Sequence, residues 1–116
     1  MYIYAVNYRI RERSFWARLA ARKMGSEKMA MVLGTTIHLH NTSVEELLRN
    51  RRWLRHELAH IRQFRELGFI RFLWEYLVES MRKGYYHNRF EIEARAAEID
   101  ESYDSWVYVG GNSTLG

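Results

Sequence analysis

The sequence predicts an α+β domain: a small antiparallel sheet, then a long helix carrying a histidine pair, then two further helices. Three observations carry this expectation. The first forty residues are rich in aromatic and β-branched side chains and alternate in Thr36-Ile37-His38-Leu39-His40, the period of a half-buried strand. Ser43 with Glu46, and Asn88 with Glu91, have the spacing of capping boxes that open helices. Gly25, Gly68 and Gly84 follow apolar-periodic runs, where helices stop.

The elements follow in order. Met1 to Ile10 reads as a first strand. Ser14 caps a short helix from Phe15 to Met24 that ends at Gly25. Lys28 to Leu33, a turn at Gly34 and Thr35 to His40 make a strand pair, with Ile37 and Leu39 on one face and His38 and His40 on the other. A long helix is expected from Ser43 to Leu67. Another runs from Phe69 to Lys83 and is expected to be core, because it is apolar around most of its girth. After a loop at Gly84 to His87, the last helix is expected to run from Asn88 to about Ser102. Residues 1–102 then form one domain and residues 103–116 a C-terminal tail, whose last residues are expected to be mobile.

Composition narrows the functional classes. The chain has 116 residues, no cysteine and no proline. A metal must therefore be held by His, Asp or Glu, and no disulfide framework exists. Net charge is +4 without a purely basic helix face, so no nucleic-acid partner is expected; the arginines 51, 55, 62 and 65 read as a solvated surface. No transmembrane segment is expected, because Arg71, Glu75 and Glu79 interrupt the most apolar run. The start, MYIYAVNYRIRERS, lacks the apolar block of a signal peptide, and a cytoplasmic location is the expectation.

The motif that carries chemistry is His56-Glu57-Leu58-Ala59-His60, an HExxH pattern. On a helix His56 and His60 lie one turn apart on one face, side by side for one metal ion. Glu57 is turned about 100° away, so it does not share their coordination position but can reach a water held there. Trp53, His60, Phe64 and Leu67 fall within about 80° of His56 on one side, and Gln63 within about 40° on the other. Four polar groups heading inward among apolar neighbours need partners, and a zinc ion (Zn2+) with its water supplies them. A catalytic zinc site usually takes a third protein ligand. The last helix offers Glu91, Glu93 and Glu98. Glu91 shares a face with Ala94, whose small side chain lets two helices approach closely, and this favours Glu91 over Glu93; Glu98 lies on the same face two turns on.

HELAHIRQ followed by FEIEA resembles the gluzincins, zinc peptidases with an HExxH helix and a glutamate from a downstream helix. It is closer to a group of small bacterial HExxHxxQ metallopeptidases, and similar to the core domain associated with extracellular contractile injection systems. The stretches that carry the likeness are Leu33-Gly34 to Ile37, His56 to Gln63, and Gly84 to Ala94. The resemblance implies a minimal zincin-like fold, His56, His60 and Glu91 as zinc ligands, and Glu57 as general base. Arg89 stands where the group often has proline. Arg95 stands where the gluzincins have an aspartate that orients a histidine, so that support must come from elsewhere.

The expected activity is hydrolysis of a peptide or protein substrate through a metal-activated water, with Glu57 accepting its proton. An oxyanion needs a further donor. Tyr85, Tyr86 and His87 are the candidates, and Tyr86 is assigned the role. The alternatives are a non-catalytic zinc-binding module, and a protein- or membrane-surface interaction domain that uses the apolar helix from Phe69.

Overall fold

Ser14 has extended backbone, and its hydroxyl accepts the amide of Ala17, which starts helix α1 (Phe15–Met24); Gly25, at φ 69°, ends it in the left-handed conformation that glycine adopts without a Cβ clash. The computed structural model describes residues 6–110. Around α1 lie the strands β1 (Asn7–Arg11), β2 (Met29–Leu33) and β3 (Thr36–His40). The predicted start of the first strand, residues 1–5, lies outside the described residues, as do the last residues of the tail, 111–116.

The fold is α+β, and its sheet has four strands in the order β2-β3-β1-β4, with β4 spanning Val107–Tyr108. It is mixed rather than wholly antiparallel. β2 and β3 form an antiparallel hairpin about Gly34, whereas β1 runs parallel to both β3 and β4. The antiparallel expectation holds only where a tight turn joins the strands. The connections into β1's two neighbours are long, and orientation across them leaves no local mark in the sequence. Tyr8, Ile10, Val32, Ile37 and Leu39 point to the core face. On the other face His38 hydrogen-bonds the Ser14 hydroxyl at 2.8 Å, beneath α1.

The helix predicted from Ser43 to Leu67 is two helices, α2 (Val44–Arg49) and α3 (Arg51–Leu67). Asn50 leaves helical geometry at φ −90°, ψ 87°, and its side chain accepts the amide of Trp53 at 3.1 Å. An asparagine here outcompetes the backbone ladder and caps a new helix. Helix α4 (Phe69–His87) is interrupted at Gly84, φ 82°, so its regular part ends where the sequence predicted. Helix α5 (Arg89–Ala97) stops short of Ser102, and a 3₁₀ turn (Glu101–Ser105) follows.

Two expectations about burial are corrected. Helix α4 is not core: only Phe72 is buried, while Ile70, Trp74, Leu77 and Met81 are exposed along one stripe. In a chain this size, α4 packs as an outer layer on α3 and α5, and its outward stripe is exposed among the described residues. The arginine side of α3 is not simply solvated. The segment after α5 folds over it: Asp104 binds Arg51 and Arg55, the Arg62 guanidinium lies over the Tyr103 ring, and Leu58 is buried. Tyr103 and Trp106 join the core, and β4 pairs with β1. No helix among the described residues is long and apolar enough to cross a membrane.

Candidate metal centre

Helix α3 lies between the sheet and the α4–α5 pair, so one turn of it faces α5 across a narrow gap. Ala94, fully buried, provides the close approach. Into this gap α3 projects His56 and His60, and α5 projects Glu91, two residues past its first residue and buried. The imidazole rings sit 5.2 Å apart at 72°. His56 Nε2 lies 3.0 Å from Glu91 Oε1, and His60 Nε2 lies 3.3 Å from Glu91 Oε2.

These three side chains fit a divalent metal. A ligand atom from each lies within 4.8 Å of the other two. Donors at about 2.0–2.1 Å from a tetrahedral zinc are separated by roughly 3.3–3.4 Å, close to the 3.0 and 3.3 Å between each imidazole Nε2 and the Glu91 carboxylate. Both histidines also use their Nδ1 atoms elsewhere, which aims both Nε2 atoms at the same point. His56 Nδ1 is 2.9 Å from Glu98 Oε2, and His60 Nδ1 is 2.8 Å from Gln63 Oε1. Gln63 in turn donates to the Phe90 carbonyl and to Glu93, both at 3.0 Å. That network fixes each ring's tautomer and orientation, the arrangement that tunes a metal ligand.

The three downstream glutamates thus take three separate places. Glu91 faces both histidines, Glu98 holds His56 from behind, and Glu93 lies beyond Gln63. Glu98 fills the need left by Arg95. It comes seven residues after Glu91, two helical turns along the same face. Arg95 points elsewhere: its guanidinium stacks on the Tyr86 ring at 4.0 Å and donates to the Tyr86 carbonyl. Arg89, at the proline position, donates its amide to Glu79 and its side chain to Glu75, bonds a proline amide could not make in full.

The electrostatics follow from burial and proximity. Burial alone would lower the His56 imidazole, but Glu91, Glu57 and Glu98 raise it to about 9. His60 is likewise pulled down by burial and raised above its ordinary value, chiefly by Glu91. Burial opposes the Glu91 charge, yet hydrogen bonds from His56 and His60 hold it well below the carboxylate range.

Glu57 is also buried, and desolvation pushes it up to about 7 against the pull of the two histidines. It opens onto a cleft of about 620 Å³ beside β2, whose lining includes Met29, Ala30, Trp53, His56, Glu57 and Tyr85. The tyrosine in the cleft is Tyr85, not Tyr86. The left-handed Gly84 turns the chain there and brings Tyr85 to the cleft wall, where its hydroxyl pKa is raised first by burial and then by the Glu91 charge. Tyr86 is exposed under Arg95, so it does not meet the histidines.

Tyr76 of α4 is a member of the site that the sequence did not single out. Its hydroxyl donates a short hydrogen bond to Glu91 Oε2, and burial raises its pKa far above the ordinary value. Its sequence signal is the Phe72–Tyr76 pair at i, i+4, which reads as plain core. Compared with protein-family models, with curated proteins and with solved structures, the chain matches none.

Proposed function

We propose that the protein is a zinc-dependent hydrolase of peptide bonds, gluzincin-like in its ligand set of His56, His60 and Glu91. The observation that carries this reading is Glu57. A purely structural metal site has no use for a desolvated carboxylate beside its ligands, held near neutrality and open to a cleft. Zinc bound by the two imidazoles and Glu91 would supply Lewis acidity to a water and to a substrate carbonyl. Glu57 accepts the proton of the attacking water and delivers it to the leaving amine. Tyr85 takes the place first given to Tyr86: its hydroxyl donates to the oxyanion from the cleft wall. Glu98 and Gln63 keep the imidazoles aimed, and Tyr76 holds Glu91.

The test is Glu57→Gln, nearly isosteric and unable to accept the proton. Zinc content should stay stoichiometric, while cleavage of a diverse peptide library falls by about 10²–10⁴-fold. His60→Ala should instead lose the metal. If wild type binds zinc and cleaves nothing, and Glu57→Gln alters neither property, the non-catalytic zinc module replaces this reading.

A further inference from the structure

Helix α1 is packed inside out. Its inward residues are the small ones, Ala17 and Ala21, both buried against the sheet. Its large apolar residues face water: Phe15 is 61% exposed, Trp16 54% and Leu19 51%. Nothing in the fold's own packing requires these three side chains outside. Between them stand Arg18, Arg22 and Lys23, with Arg13 just before the helix. From Arg13 to Ser26 the chain has no acidic residue. Among the described residues, none of these four cations has a carboxylate partner within ion-pair distance, in contrast to Arg71, Lys83 and Arg89 around the α4 stripe, which are paired. Arg11 adds a further charge on the same side: it acts electrostatically on His38, the histidine beneath α1. Glu12, next to Arg13 in sequence, is engaged elsewhere: it accepts the Val44 amide at 2.7 Å. A shallow apolar trough continues the face from Trp16 and Leu19 to Met31 on β2.

We infer that α1 is a docking element for the surface of an anionic phospholipid bilayer. Interleaved apolar and basic residues on one exposed helix face let the side chains enter the headgroup region while the cations meet lipid phosphates. The charge of the face is complementary to such a surface. Nucleic acid fits less well. Phe15 and Trp16 pack edge to face on one another at 77°, and Leu19 and Met31 have no ring on which a base could stack. This inference does not depend on the metal centre.

The experiment is co-sedimentation of the full chain with vesicles of phosphatidylcholine alone, and with about 30% phosphatidylglycerol added. The protein should bind the anionic vesicles at low salt, fail to bind the neutral ones, and lose binding as salt screens the charges. Arg18→Glu/Arg22→Glu/Lys23→Glu should lower the partition constant by at least about a hundredfold. Trp16→Phe should still bind but lose the lipid-induced blue shift of its indole fluorescence, and Trp74→Ala on α4 should bind like wild type. Equal binding to neutral and anionic vesicles overturns the inference. So does an unaffected triple variant with native circular dichroism, loss of binding in Trp74→Ala, or tighter retention on duplex DNA than on the anionic vesicles.

Discussion

Helices α3 and α4 are neighbours of similar length, 17 and 19 residues, and each buries what the other's composition would suggest. α3 carries five arginines, yet eight of its residues are buried, including Glu57, His60 and Gln63. α4 is the more apolar helix, yet it buries only Phe72 and turns Ile70, Trp74, Leu77 and Met81 to water. The difference is the layer each occupies. α3 meets β2 on one side and α4 and α5 on the other, whereas among the described residues α4 packs mainly on α3 and α5. Placing three polar groups in the central layer costs about 1–3 kcal/mol for each one left unpaired. Here His60 bonds both Gln63 and Glu91, and the two imidazoles favour the Glu57 charge electrostatically. A polar stripe paired in this way at the centre of a small domain is the feature on which the proposed metal site rests. An apolar stripe left outside marks a surface and not a core.

The largest effect that tests this contrast is on stability. Leu58 of α3 is 1% exposed and Leu77 of α4 is 56% exposed. Leu58→Ala should cost about 2–5 kcal/mol through lost burial and the cavity left behind. Leu77→Ala, with the same atoms removed, should change stability by less than about 0.5 kcal/mol. Urea unfolding of both variants measures the pair. Similar costs at the two positions would mean that the outward face of α4 is covered, and the contrast between layers would collapse.

A second effect comes from the buried polar stripe itself and appears in chelator. The His56 imidazole titrates at about 9 in the folded protein against 6.5 ordinarily, so its contribution is full below pH 6.5 and is lost as pH rises through 9. Glu57, raised to about 7 from 4.5, acts in the same sense: its contribution is present below pH 4.5 and lost through 7. Glu91, held low, opposes them only on the acid side, where its contribution fades as pH falls below 4.5. The metal-free protein should therefore be most stable near pH 4.5 and lose stability steadily as pH rises to 9. Zinc should reverse that slope, because the metal takes the place of the protons and binds better as pH rises. Denaturation midpoints from pH 5 to 9, with chelator and with zinc, give the two curves. A flat curve in chelator would mean that the stripe is not a proton-held ligand set.

Much of this was legible in the residues, and the gaps have physical reasons. α1 runs from Phe15 to Met24 as predicted, because its Ser14 and Gly25 caps are local chemistry. The pairing of His56 with His60 was readable because helical spacing alone sets it. Strand orientation at β1 was not, since it depends on where distant segments return. The break at Asn50 was hidden because asparagine suits a helix surface and a cap alike. The exposure of α4 was misread because an apolar helix reports what it can bury, not how many layers the fold has to cover it. Tyr85 and Tyr86 are adjacent, and only the turn at Gly84 decides which of them meets the cleft.

The smallest effect separates a carboxylate that supports the site from one that only pairs on the surface. Glu98 holds His56 Nδ1 at 2.9 Å and also lies 3.5 Å from Arg52. Glu75 of α4 is paired with Arg71 and Arg89, each at 2.7 Å, at the rim of the outer layer. Both would be scored as good salt bridges by distance, yet they act on different things. Removing charge behind a ligating imidazole lowers its basicity and frees its ring, which costs about 10–100-fold in metal affinity. Glu98→Gln keeps an oxygen that can still accept from Nδ1, so it should fall at the low end, near tenfold, and Glu98→Ala near a hundredfold. Glu75→Gln should leave zinc affinity unchanged and alter stability by under about 0.5 kcal/mol, as an exposed pair does. Competition against a chelator of known affinity reads all three variants. The graded loss at Glu98 is the outcome a purely structural role would not give: a carboxylate that merely tied α3 to α5 would lower the unfolding midpoint in chelator and leave the zinc affinity of the folded protein as it was.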